Sequence, residues 1–132
     1  MDITIKTIPS DEHRYPTCGD YWFQGQADNS GDLDIRVSKL TDWREEALVA
    51  VHELIEVLLC KHRGVKEPDI KAFDEAFEKD REAGKHGPDD EPGAHPDAPY
   101  RNEHIFAECI ERLVARELGV DWKEYDNHVQ DS

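Results

Sequence analysis

The chain has 132 residues, with 31 acidic against 16 basic side chains and a formal net charge of −15. That length fits one domain around a single core, and a field this negative repels phosphate backbones and anionic lipid, which argues against direct binding to nucleic acid or a membrane. No apolar run approaches the ~20 residues that span a bilayer, and MDITIKTIPS lacks the charged-then-apolar pattern of a secretory signal, so a soluble, cytoplasmic chain is expected.

In chain order, DITIKTI alternates over residues 2 to 8 and predicts a strand. SDEHRYPTCGD follows as a turn-rich connection and YWFQG as a short second strand. DNSGD is a turn signal, and LDIRVSKL alternates over residues 33 to 40, so the second and third strands make a hairpin. Thr41 is the expected N-cap of a helix from about Asp42 to Arg63, with basic residues in its last turn and Gly64 as its stop. KEPDIKAFDEAFEKDREAG predicts a second helix over residues 67 to 83, with Ile70, Phe73 and Phe77 on one face.

Residues 84 to 99, GKHGPDDEPGAHPDAP, hold three glycines and four prolines and form neither helix nor strand. This long loop is a candidate lid, and its His86 and His95 are expected to be solvated. A third helix runs over residues 100 to 118, is stopped by Gly119, and leads into a packing tail over residues 119 to 132. Cys18, Cys60 and Cys109 are an odd number and far apart, so no disulfide framework is expected; Cys60 and Cys109 sit in apolar helical surroundings that suit small buried side chains. The expected fold is α+β and a single domain: a small N-terminal antiparallel sheet or hairpin packed on a three-helix core.

The stretch ALVAVHELIEVLLC, residues 47 to 60, has eleven apolar residues and only His52, Glu53 and Glu56 besides. A helix apolar on most faces belongs in the middle of a domain. Unpaired carboxylates taken there cost several kcal/mol each or stay protonated. A partner base, a metal ion or a water-filled cleft must compensate them; the plainer alternative is that both glutamates face solvent at the protein's edge.

His52-Glu53 opening such a helix, after the strand LDIRVSKL, resembles the zinc metallopeptidases known as zincins over residues 33 to 60. That resemblance implies a zinc ligand at His52 and a general base at Glu53. The chain departs from the motif where Glu56 replaces the second histidine, a change that also admits harder metals such as manganese or iron. A further ligand is expected from the third helix, where His104, Glu108 and Glu111 share a strip opposite Ile105, Cys109 and Leu113. The candidate set is His52, Glu56 and His104 around a divalent metal with water in the fourth position. Glu108 and Glu111 read either as exposed charges near Arg112 or as a fourth ligand that closes a structural site.

The segments RYPTCGDYW, IRVSKLTDWREEALVAVHELIEVLLCKHRG, FDEAF, DAPYRNEHIFA and ELGVDW resemble a family of small proteins encoded by tailed phages and prophages. The resemblance implies a host-cytoplasm setting and brings no activity with it. Three functions compete. The first is a metallohydrolase acting on a substrate such as a peptide. The second is an acidic, non-enzymatic accessory protein that binds a protein partner and carries a structural or vestigial metal site. The third, from the paired E-x-x-E spacings Glu53/Glu56 and Glu108/Glu111, is an enzyme like the all-α nucleotide pyrophosphohydrolases. Oligomeric state is not legible at this level.

Overall fold

A computed structural model describes residues 1–25 and 27–132. Strands β1 (Ile3–Ile8), β2 (Gly19–Gly25) and β3 (Ser30–Ser38) precede helices α1 (Trp43–Arg63), α2 (Glu67–Glu82), α3 (Arg101–Glu117) and α4 (Trp122–Gln130). The architecture is α+β, as the patterning predicts. None of the described helices is long and apolar enough to cross a membrane.

The sheet has the order β1-β3-β2. The β2–β3 hairpin is antiparallel, as expected, whereas β1 joins β3 in parallel, so the sheet is mixed rather than antiparallel throughout. The long connection between β1 and β2 carries the chain to the far edge, and the hairpin then returns β3 alongside β1 in the same direction. Alternation sends Leu33, Ile35 and Val37 of β3 into the core, where they pack with Phe23, Leu48 and Val57.

Asp42 rather than Thr41 caps α1, because its carboxylate accepts the Arg44 N–H at 2.9 Å while Arg44 folds back onto the same group. Gly64 ends the helix at φ 71°, a left-handed conformation that glycine adopts without strain. From Arg44 to Cys60 no residue is exposed, so this helix runs through the middle of the molecule.

On α3 the apolar arc faces the wrong way for its composition. Phe106, Cys109 and Leu113 are exposed, while Glu103, Ala107, Glu111 and Ala115 are buried. Small alanines let α3 approach α1 closely, and the polar strip is what lies between them. The expected burial of Cys109 is thus corrected; Cys18 and Cys60 are the buried thiols, and all three are free.

The tail is also more than a tail. Asp121 caps α4 by accepting the Glu124 N–H at 2.9 Å, and Trp122, Tyr125 and Val129 turn to the core, giving four helices instead of three. His86 and His95 are not solvated as expected. The loop folds back on α2, where His86 stacks on Phe77 with centroids 4.0 Å apart and His95 packs against Phe73 at 5.7 Å.

Beside this packing the Tyr100 hydroxyl donates to Asp74 Oδ1 at 2.6 Å. Burial first, then the charges of Glu56 and Glu78, push the Asp74 carboxyl from 3.8 to about 6 against the opposing pull of Tyr100 and His104. Between those values the folded chain holds the proton that the unfolded chain has lost, so stability falls as pH rises from about 4 to about 6. Two pH units correspond to at most about 3 kcal/mol. Asp74→Asn, which keeps an acceptor for Tyr100, is therefore expected to raise the melting temperature at pH 7 by several degrees and leave it unchanged near pH 3.5, as thermal denaturation at the two pH values will show.

Candidate metal centre

One turn of α1 places His52 and Glu56 on the same stripe, and the close α1–α3 packing brings His104 against them. His52 Nε2 stands 3.2 Å from His104 Nδ1 and 3.4 Å from Glu56 Oε1, and His104 Nδ1 stands 2.9 Å from that oxygen. The three side chains are only 12%, 6% and 14% exposed. The predicted trio therefore converges from two helices, and among the described residues it is the group able to hold a metal ion.

The triangle has the dimensions a metal needs. Around a tetrahedral zinc with ligands about 2.0–2.1 Å away, neighbouring donor atoms are about 3.3 Å apart. The edges of 2.9, 3.2 and 3.4 Å approach that value closely enough for small side-chain adjustments to suffice. Two imidazoles and one carboxylate are also a donor set suited to zinc.

Each ring nitrogen outside the triangle has its own carboxylate. His52 Nδ1 lies 2.7 Å from Glu111 Oε1, and the Tyr125 hydroxyl donates to the other oxygen of Glu111. His104 Nε2 lies 3.0 Å from Glu91 Oε2. With a proton on each outward nitrogen, both rings present a lone pair to the triangle, the orientation that outer carboxylates enforce on metal-binding histidines. Sequence reasoning left Glu111 between exposed charge and fourth ligand. The structure buries it as the orienting partner of His52, two helical turns along the strip from His104. Glu91 and Tyr125 went unnoticed, since nothing in a glycine- and proline-rich loop or a C-terminal tail marks such a contact. Glu108 stands apart at 3.9 Å from Arg112, the pairing expected for a surface charge.

The loop closes over His104. A Cβ on Gly93 would lie 2.6 Å from Cγ of that ring, so only glycine lets the segment sit there. Glu53, half-buried on the flank of the same turn, packs against β2 in like manner: a Cβ on Gly19 would lie 2.5 Å from its Oε1.

Without a cation the cluster compensates itself. Burial works to lower the pKa of both histidines, but Glu111 and Glu56 raise His52 to about 11, and Glu56 and Glu91 raise His104 to about 9. Burial works to raise Glu56, and the two histidines bring it down to about 2. Glu53 has no such partner; burial and then the neighbouring Glu56 charge push it up to about 8. A bound cation would lower the pKa of all four, opposing the upward shifts of His52, His104 and Glu53, adding to the downward shift of Glu56, and releasing protons from the rings.

No family model, no curated protein and no solved structure matches the chain. Its chemistry has to be read from the site.

Proposed function

We propose that this protein is a metal-dependent hydrolase with a minimal zincin-like centre, in which His52, Glu56 and His104 hold one divalent cation, zinc in preference to manganese or iron. The observation that carries the reading is the pair of outer carboxylates, Glu111 and Glu91, each aimed at the back of one imidazole in a triangle of tetrahedral dimensions. Three protein ligands leave a fourth position open, the arrangement of catalytic rather than structural zinc. When bound, the cation supplies Lewis acidity toward water and toward a carbonyl or phosphoryl oxygen.

The chain's own groups supply the rest. Glu53, on the helical turn between the two α1 ligands, takes the proton from the attacking water and returns it to the leaving group. Glu111 and Tyr125 fix the His52 ring, Glu91 fixes the His104 ring, and the loop over residues 84–99 limits access from the His104 side. The zincin resemblance agrees with this reading and the phage-family resemblance with a cytoplasmic setting; neither specifies a substrate.

A second reading is favoured by the low exposure of the three donors. A group this enclosed also suits a structural cation, or an ion-pair network that ties α1 to α3 in a non-enzymatic partner-binding protein. Titration of the purified chain with zinc, followed by assays on peptide, ester and phosphoester substrates, separates them. One zinc per chain with chelator-sensitive turnover is the expected result. One zinc without turnover on any class leaves the structural reading, and no zinc leaves the ion-pair network. Gly93→Ala is expected to weaken zinc binding about 10- to 100-fold, the range for disturbing an outer partner, because the added methyl displaces either the His104 ring or the loop carrying Glu91.

A further inference from the structure

The outer edge of β1 is open. Leu33 N–H donates to Asp2 O and Lys39 N–H to Ile8 O, so the backbone groups of residues 2, 4, 6 and 8 face β3. Those of Ile3, Ile5 and Thr7 consequently point away from the sheet, with no backbone partner among the described residues. Ile3 and Ile5 share a face with Leu33 and Ile35, yet they remain 44% and 47% exposed, because α1 packs against β2 and β3 and leaves β1 uncovered. The opposite edge, on β2, is interrupted by an irregularity between Phe23 and Gly25 and is a poorer template.

We propose that two copies of this chain join edge to edge through β1, antiparallel, about a two-fold axis at Thr4. In that register Ile3 faces Ile5 of the partner subunit, and both belong to the set whose N–H and C=O groups are free, so each pair exchanges two hydrogen bonds. The two apolar ledges merge into one strip on the helical side of a six-stranded sheet. On the other side Asp2 faces Lys6 of the partner subunit, twice by symmetry. These are the charged residues of the strand region, and among the described residues neither side chain forms an ion pair within the chain. Shifting the register by two residues keeps the backbone bonds but sets Lys6, or in the other direction Asp2, against Thr4, so the charges select the Thr4-centred arrangement. A second copy is thus the occupant this edge matches in hydrogen bonds, in apolar face and in charge.

Sedimentation velocity over a micromolar concentration series at physiological ionic strength tests it. The wild type is expected to form a reversible dimer. Lys6→Asp and Asp2→Lys, each placing like charges opposite one another at two points, should weaken it at least about tenfold. The double swap should restore it. Asp2 and Lys6 are both exposed, and unchanged far-UV circular dichroism verifies that the variants fold. In a Cys109→Ser background, Thr4→Cys should give a disulfide-linked dimer with oxidised glutathione, since facing residues at a non-hydrogen-bonded position are about 4.5 Å apart between Cα atoms. A wild type that stays monomeric, a dimer indifferent to the swaps, or a double swap without recovery would each overturn the proposal, as would failure of the Thr4→Cys pair to cross-link. A monomer that instead captures an extended basic peptide on this edge would also overturn it.

Discussion

His104→Ala is expected to weaken zinc binding by more than about 100-fold, beyond the range seen for outer partners alone. His104 supplies one corner of the donor triangle and is the only corner contributed by α3, so no neighbouring side chain replaces it. A zinc-saturated wild type should gain about 2.7 kcal/mol of stability at a hundredfold excess over its dissociation constant, or roughly 10 °C in melting temperature for a chain of this length. The variant should gain nothing. It should also start lower, by about 3 kcal/mol, because Glu56 loses a buried partner and Glu91 loses the ring it faces. If that loss prevents folding, His104→Asn, whose amide still donates to Glu56 from near the Nδ1 position, keeps the comparison available. Calorimetric titration and thermal melts with and without zinc give both quantities. A variant stabilised by zinc as strongly as the wild type would mean the ion binds elsewhere.

Glu53→Gln separates catalysis from binding. The carboxylate makes no hydrogen bond to either histidine, and it lies against Gly19 instead of at a corner of the triangle. Zinc affinity should therefore stay within a few-fold of wild type, while any zinc-dependent turnover falls about 10²- to 10⁴-fold, the usual contribution of a positioned base. The amide is nearly isosteric with the acid, so packing against β2 is preserved. If this variant loses zinc to the same degree as His104→Ala, Glu53 is a ligand and the assignment of the base is wrong.

The elements that carry the site were legible for different reasons. In α1 the apolar run is so continuous that three polar residues in one turn demand compensation, and the compensation is there. His104 could be matched to them because it opens a strip on the next long amphipathic helix. What the pattern concealed was direction. The apolar arc of α3 is wider than its polar strip, which ordinarily places the arc inside; here Ala107 and Ala115 bring the backbones of α1 and α3 together, and the strip fills the seam. Composition alone does not show that choice, because small residues count little in any hydrophobicity pattern while setting how closely helices approach. The parallel placement of β1 was hidden likewise, since alternation specifies which face a strand buries but not the direction of its neighbour. Glu91 and Tyr125 reach the site through a loop and a terminal helix whose positions depend on the whole fold.

X-ray absorption at the zinc edge, on the chain loaded with one equivalent, reads the coordination shell itself. The expected shell is four-coordinate, with two imidazole nitrogens at about 2.0–2.1 Å and carboxylate and water oxygens completing it, and one imidazole fewer in His104→Ala. A shell of oxygens alone, or a wild-type spectrum unchanged by His104→Ala, would contradict it.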